Sequence, residues 1–530
     1  MDIEQALHQL QQAQNDPQAL TIATSQIACA ALDPQLFEIL EAAAIPHWFD
    51  ADILAHLMQV DHETANSWLE LLIKLPMVES YAARQAWNVH ETTRLAIRAK
   101  LATEEKARFK QCSERCSDYF HADTAAEVTE RIYHQLAGGC PGTDQNLLAL
   151  YHGWRKSGRY DAHQALALVL RELLDAGLLD GVALARTLVV NGWIRESRLS
   201  VTTAEQMART AVQLFMQVGD EYGEADAREW LGRTLQTEGY SEQALGEFNK
   251  QLDIMYRLTQ RHPDNSDFQL DLSASHSNIG GVLKAQGNLA EALQTYQAEM
   301  DIMRHLTERD PNNSDWQREL SISYNNMGRV LQAQGNLAEA LAAYQAQMEI
   351  LRDLTERDPN NSNWQRDLSI SHCDIGGVLQ AQGNLAEALT AYKVLMDILR
   401  NLTERDPNNS NWKLDLSLSH NNMGRIIHAQ GNLSAALIAY QTGMDILNDL
   451  TERDPNNSDW QQGLSLSHYC LATVLEEQGW LDEAMKHREA DLKIAERLVT
   501  LDPSNVQWQQ DDEASRDAWA NLRQRIAAEK

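Results

Sequence analysis

A repeat of 48 residues restricts the fold of this chain more than any other feature of its sequence. Prolines recur at this spacing over five intervals, at Pro263, Pro311, Pro359, Pro407, Pro455 and Pro503. Other residues keep the same phase, such as Trp316, Gly335 and Ala340 in one copy. One such unit cannot bury both of its faces alone, so neighbouring units must stack into a continuous core. The 530 residues therefore predict a solenoid rather than a series of unrelated domains.

The unit from residue 314 to residue 361 predicts a pair of helices. Ser314 and Gln317 form an S-x-x-Q pattern, in which we expect Ser314 to cap the first helix. Apolar residues then recur with helical spacing up to Gly335, whose tolerance of a positive φ suits a helix end. A second apolar stripe follows and ends before Pro359. We expect each helix to have about 20 residues and a length of ~30 Å.

Small residues at matching positions predict close packing within each pair. Gly328 in the first helix and Ala340 in the second should let the two backbones approach, with Tyr344 filling the space beside them. A larger residue in place of Ala340 should overpack this contact.

The phased residues resemble the signature of the tetratricopeptide repeat (TPR) family, which has a small residue, a turn glycine, an alanine and an aromatic. The sets are Gly232, Gly239, Ala244 and Phe248; Gly280, Gly287, Ala292 and Tyr296; Gly328, Gly335, Ala340 and Tyr344; Gly376, Gly383, Ala388 and Tyr392; and Gly424, Gly431, Ala436 and Tyr440. The usual unit has about 34 residues, so both helices here are longer. The resemblance implies a mostly all-α, TPR-like α-solenoid whose first helices line a concave groove.

The resemblance covers residues 219 to 503. Upstream, residues 104 to 218 carry shorter amphipathic patterns and predict an irregular helical or TPR-like region. Downstream, residues 504 to 530 predict a polar capping helix, because Asp512 stands where earlier copies have leucine.

The N-terminal part has a different pattern. Residues 1 to 32 read as a helical segment, and helical patterns then follow at 33 to 43, 51 to 59 and 62 to 74. Two strand-like segments, Met77 to Tyr81 and Gln85 to Val89, precede another helix. Residues 33 to 103 thus resemble the winged-helix domain of signal-transduction ATPases of the NACHT and NB-ARC classes. The sequence has no Gly-Lys dipeptide, and hence no phosphate-binding G-x-x-x-x-G-K-[ST] loop of such ATPases.

Charge and composition exclude several kinds of partner. The formal net charge of −31 repels nucleic acid and anionic membranes. The six scattered cysteines do not form a disulfide framework, and no basic leader or long apolar run is present, so we expect a cytoplasmic protein.

Cys112 and Cys116 lie near His121 but lack a fourth zinc ligand. We expect no metal, no cofactor and no catalytic residues.

The candidate partner-binding residues lie on the first helices of the repeats, where the copies differ although their core residues are nearly constant. Two of the pairs, Asn325 with Arg329 and Asn421 with Arg425, have a four-residue spacing that should project their donors together. A solvated face, or intramolecular pairing of the arginines with acids such as Glu339, is the alternative. The candidates are Asn325, Arg329, Gln332, Gln380, Asn421, Arg425, His428 and Tyr469.

These features favour a non-enzymatic solenoid that binds a protein or peptide in its groove. The resemblance implies a sensor or regulatory component of a bacterial signalling or antiviral defence system, with a separately encoded effector or ATPase as one candidate partner. Self-association is left open. The alternatives are a co-chaperone or assembly scaffold, and an enzyme with an unrecognised site in residues 104 to 215.

Overall fold

A computed structural model describes residue 8 and residues 10–195, 198–501 and 505–529. The chain divides into two compact units, residues 1–261 and residues 262–530. Regular structure in the described part is helical except for one two-stranded sheet. None of the described helices combines the length and the apolar character that crossing a membrane requires.

The first unit begins with short helices and a β-hairpin. The elements are α1 (Pro17–Ala30), α2 (Leu36–Ala43), α3 (Ala51–Met58), α4 (His62–Leu72), β1 (Val78–Tyr81), β2 (Ala86–Val89) and α5 (Glu91–Glu104). The strands are antiparallel with Val78 opposite Val89, and Phe49 forms an additional bridge to Trp87. The predicted helices and hairpin are therefore present in the expected order. Their classification as a winged helix stays a prediction.

Longer helices complete the first unit. They are α6 (Lys106–Tyr119), α7 (Ala125–Gly138), α8 (Thr143–Lys156), α9 (Tyr160–Asp175), α10 (Gly181–Arg195), α11 (Val201–Val218), α12 (Glu221–Thr237) and α13 (Ser241–Arg261). A large apolar core links the short N-terminal helices to α7, α8 and α9, and its buried side chains include Phe49, Tyr133 and Leu170. Because these side chains come from distant segments, the N-terminal helices pack with the irregular region as one unit.

The second unit is a stack of long helical hairpins. It comprises α14 (Ser266–Ala285), α15 (Leu289–Arg309), α16 (Ser314–Ala333), α17 (Leu337–Arg357), α18 (Ser362–Ala381), α19 (Leu385–Arg405), α20 (Ser410–Ala429), α21 (Leu433–Arg453), α22 (Ser458–Glu477), α23 (Leu481–Leu501) and α24 (Val506–Glu529). First helices of 20 residues alternate with second helices of 21 residues from α14 to α23. The predicted all-α solenoid of paired helices is confirmed.

The predicted N-terminal cap of the first helices is wrong by one residue. Asn313, not Ser314, is the capping residue of α16, and its side-chain oxygen accepts a hydrogen bond from the backbone N–H of Trp316 at 3.1 Å. The side chain of Gln317 donates to the carbonyl oxygen of Pro311 at 2.6 Å instead of completing a capping box. Asparagine caps well because its short side chain reaches the first free N–H groups from an extended backbone.

The predicted packing within a hairpin is confirmed. Gly335 has φ 81°, so it ends α16 in the left-handed region and allows α17 to start two residues later. A Cβ atom on Gly328 would lie 2.6 Å from the ring of Tyr344, which is fully buried. Ala340 is also fully buried. Close approach of the two helices therefore depends on the small residues that the sequence pattern singled out.

Candidate partner-binding surface

The first helices of the second unit, α14, α16, α18, α20 and α22, form what we call the first-helix layer. Three neighbouring pairs of first helices, α14 with α16, α16 with α18 and α20 with α22, lie closer together than neighbouring second helices do, which places this layer on the inner side of the stack. Ion pairs join residues 49 positions apart: Arg318 Nε lies 2.7 Å from an oxygen of Asp367, and Arg366 Nε lies 2.9 Å from an oxygen of Asp415. A ladder of polar contacts thus runs across the repeats.

Two candidate residues, Arg329 and Arg425, are exposed on this layer. Across the described residues, neither guanidinium forms an ion pair or hydrogen bond with another side chain, and the expected alternative partner Glu339 is not bound to Arg329. In a chain of net charge −31, these cations are therefore available to an acidic ligand.

The other members of the two predicted pairs face inward. Asn325 Nδ2 donates to Asp374 at 2.7 Å and to Gln347 at 3.2 Å, so this half-buried amide links neighbouring repeats. Asn421 has an exposed fraction of 1% and donates to Ser467 at 2.8 Å. Its side chain occupies the space beside Gly443, where a Cβ atom would lie 2.9 Å from the Asn421 oxygen. Both asparagines therefore serve contacts within the fold rather than projecting beside the arginines.

The remaining candidates are half-buried and most have internal contacts. Gln332 accepts a hydrogen bond from the hydroxyl of Tyr344 at 3.1 Å. His428 Nε2 lies 2.9 Å from a carboxylate oxygen of Glu477 in the next repeat. Gln380 occupies the equivalent position on α18 and is also half-buried. These residues set the shape of the layer more than they offer free polar groups.

Tyr469 differs because it has a cation above its ring. The guanidinium of Arg488 lies 4.4 Å from the ring centroid of Tyr469. Arg488 is 4% exposed, occupies the position that is aromatic in other copies, and also binds Glu476 at 2.8 Å. The last hairpin thus replaces the buried ring contact of earlier repeats by a bonded arginine.

Tyr469 also borders a cavity of about 580 Å³ near the C-terminal end of the second unit, which we call the end pocket. Its apolar wall comes from α20, α22, α23 and α24, and includes Leu414, Leu418, Leu466, Leu498 and Trp508. The sequence analysis missed this pocket. Two substitutions in the sequence could have indicated it. Leu414 stands where Arg318 and Arg366 stand in earlier copies, and Gly463 stands where Asp367 and Asp415 stand.

A buried charged cluster lies in the first unit, partly within the range where a hidden enzyme site was an alternative. Glu172 pairs with Arg98 and accepts a hydrogen bond from the Tyr133 hydroxyl at 2.9 Å. Glu130 lies 2.6 Å from Nδ1 of His47. Arg98 is 2% exposed and also donates to the carbonyl oxygen of Ala44 at 2.8 Å. The cluster thereby joins the N-terminal helices to α7 and α9.

The environment of His134 supports a structural role for this cluster. His134 has no exposed surface, and burial lowers its pKa to about 4. Its Nε2 lies 3.3 Å from Glu130, one helical turn earlier. A buried imidazole that stays neutral at pH 7 and is packed against Phe120 stabilises the helix interface.

Cys112, Cys116 and His121, which lie near one another in the sequence, have separate environments in the structure. Cys116 is fully buried, and burial raises the pKa of its thiol, while Cys112 is 9% exposed. His121 Nδ1 lies 2.7 Å from the carbonyl oxygen of Tyr119. In the described ranges, no three histidine, cysteine, aspartate or glutamate residues converge as a metal site would require.

Comparison with protein families identifies one match. Residues 319–401 match the family model for the tetratricopeptide repeat. This stretch runs from α16 to α19 and covers most of two neighbouring copies of the repeat. A comparison with curated proteins found no match.

Several solved structures resemble the fold. A signal transduction ATPase with numerous domains (STAND) protein with a tetratricopeptide repeat sensor, from Pyrococcus horikoshii, aligns with 92% of this chain and 67% of its own, at 14% identity and a TM-score of 0.50. BtubC from P. vanneervenii aligns over 49% of this chain and 92% of its own, at 13% identity and a TM-score of 0.39. The apo form of RapI aligns over 60% and 98%, at 13% identity and a TM-score of 0.40.

Proposed function

We propose that this chain is a non-enzymatic interaction solenoid that binds a protein or peptide on its first-helix layer. The observation that carries the proposal is the pair of exposed, unpaired guanidinium groups of Arg329 and Arg425 on that layer. Both come from positions that vary among copies whose core residues are nearly constant. Guanidinium groups bind carboxylates in a bidentate manner, so the ligand carries acidic side chains that meet the two arginines.

We further propose that binding serves a sensor or regulatory role in a bacterial signalling or antiviral defence system. The STAND protein from Pyrococcus horikoshii has a tetratricopeptide repeat sensor, and this similarity supports the role. The 530 residues contain no Gly-Lys dipeptide for a nucleotide-binding loop. In this proposal a separately encoded ATPase or effector acts downstream of binding. In this proposal the winged-helix-like residues 33–103 contact that effector.

A peptide-selection experiment tests the binding role. The full chain is immobilised and used to select from a phage-displayed library of random dodecapeptides, and the enriched peptides are measured by fluorescence anisotropy. We expect enrichment of aspartate and glutamate. Replacing both arginines, Arg329→Ala and Arg425→Ala, should weaken binding at least tenfold, since each charge-assisted hydrogen bond contributes about 1.5–3 kcal/mol.

Arg352→Ala is the matched control, because Arg352 is exposed on the second helix α17 rather than on the first-helix layer. Its affinity for the same peptides should stay within twofold of the parent. Equal losses in both variants would indicate non-specific attraction to positive charge. Unchanged binding in the double variant would remove the first-helix arginines from the proposal.

A further inference from the structure

The end pocket lies at an interface where the polar ladder is interrupted. The rungs Arg318–Asp367 and Arg366–Asp415 fill the space between neighbouring first helices with ion pairs. At the next interface the equivalent residues are Leu414 and Gly463. Leucine and glycine form no ion pair, and Leu414, Gly463 and Leu418 instead line the apolar cavity at this interface.

The cavity is lined by carboxylates as well as leucines. Asp491 is 1% exposed, and its Oδ1 accepts a hydrogen bond from Ser465 at 2.5 Å. Among the described residues, its Oδ2 has no hydrogen-bond partner of ordinary geometry, while the Ser515 side chain and the Arg488 guanidinium lie near enough to favour the ionised carboxylate. Asp459 and Asp511 also border the cavity, and none of the described residues that line it is a lysine or arginine. A buried carboxylate oxygen without a donor is costly, and a cationic ligand would satisfy it.

We propose that the end pocket binds a basic side chain, arginine or lysine, of the polypeptide that lies on the first-helix layer. This inference rests on the proposed function and adds a position-specific requirement to it. The aliphatic part of the side chain packs against Leu414 and Leu418, and its charged end donates to Asp491. The volume of about 580 Å³ also accommodates part of the segment that carries the basic residue.

The partner that follows from this arrangement has a mixed charge pattern. Its acidic residues meet Arg329 and Arg425 along the layer, and its basic residue enters the end pocket. Burial raises the pKa of Asp491, and a bound cation would favour the ionised carboxylate. Opposite charges at separate positions define one direction for a bound chain, because the reversed chain would place like charges together.

The test uses the full chain and two synthetic probes, acetyl-Ala-Leu-Arg-Leu-Ala-amide and the same peptide with citrulline, which has nearly the shape of arginine but no charge. Binding is measured by isothermal titration calorimetry. We expect the arginine peptide to bind at least tenfold more tightly than the citrulline peptide. The Asp491→Asn variant should remove most of this difference and leave the affinity for the citrulline peptide within twofold.

A second variant closes the pocket without removing a carboxylate. Leu414→Arg with Gly463→Asp restores the ion pair that two neighbouring interfaces already contain, and a Cβ at position 463 needs only a small shift of Leu447, whose methyl group would lie 3.1 Å away. We expect this variant to melt at the temperature of the parent or above and to lose binding of the arginine peptide at least tenfold.

The outcomes separate this inference from the proposed function. Equal affinities of the arginine and citrulline peptides would overturn the end-pocket assignment, and the Arg329 and Arg425 experiment would still decide the binding role. Unchanged arginine-peptide affinity in both the Asp491→Asn and ladder-restored variants would also overturn it. If spermidine binds the parent as tightly as the arginine peptide, the pocket is a polyamine site and the peptide assignment is wrong.

Discussion

Replacing Glu299 by glutamine should stabilise the chain in a pH-dependent way. Glu299 lies on α15, is 4% exposed and accepts a hydrogen bond from Ser323 of α16 at 2.9 Å. Burial raises the pKa of this carboxyl from 4.5 to about 7. The equivalent residue of the next hairpin is Gln347, which is also 4% exposed. The repeat itself therefore shows that glutamine fits this position.

The direction of the pH dependence of stability follows from proton linkage. The folded chain holds the Glu299 proton more tightly than the unfolded chain, so the cost of this group is absent below pH 4.5 and grows as the pH rises to about 7. One pKa unit corresponds to ~1.4 kcal/mol, so the raised pKa lowers the free energy of unfolding by roughly 3 kcal/mol above pH 7. Glu299→Gln should recover roughly 2–3 kcal/mol at pH 8 and almost nothing at pH 4.

Urea unfolding of the full chain, followed by circular dichroism at pH 4 and pH 8, measures this effect. Because stacked repeats can unfold in segments, hydrogen exchange of α15 and α16 locates the change. Gln347→Glu is the reverse control and should destabilise the chain at pH 8 only. Equal stabilisation by Glu299→Gln at both pH values, or none at either, would refute the argument from burial.

Three further predictions concern stability and are checked by the melting temperature of the full chain. Asn313→Ala should cost about 1 kcal/mol through the lost cap, whereas Ser314→Ala should cost less than about 0.5 kcal/mol; the reverse order would contradict the cap assignment. Gly328→Val should cost at least about 1–3 kcal/mol by forcing Tyr344 away, and a neutral melt would contradict the packing. Arg98→Leu should cost about 1–3 kcal/mol, because the carbonyl oxygen of Ala44 and the hydroxyl of Tyr133 lose a donor while Glu172 keeps Arg94 as a partner, and an unchanged melt would contradict a stabilising role of Arg98.

The hairpin architecture could be predicted from the sequence because its signals are local. The turn at Gly335, the lengths of α16 and α17, and the contact of Gly328 with Tyr344 follow from helical spacing and residue size over a few turns of chain. Repetition strengthened each signal, since the same residues recur every 48 positions. Even the wrong cap at Ser314 lies only one residue from the observed one, Asn313.

The candidate surface could be predicted only in part. Helical spacing placed Asn421 beside Arg425 on one face, but it could not show that Gly443 of another helix leaves a space that the asparagine fills. The sequence also could not show whether Arg329 is free or paired with Glu339. The structure shows that Arg329 is exposed and not bound to Glu339. Availability to a partner depends on neighbours that the sequence pattern does not name.

By itself, then, the sequence determined the repeat length, the paired helices and the acidic character of the chain, since these depend on residues close together or on composition. Tertiary structure alone decided which polar groups stay free and where a cavity opens. The end pocket requires Leu414, Gly463, Asp491 and Trp508, which lie on four helices, to meet at one interface. Burial and pairing are properties of such long-range contacts, and they control both the charge state and the accessibility of a side chain.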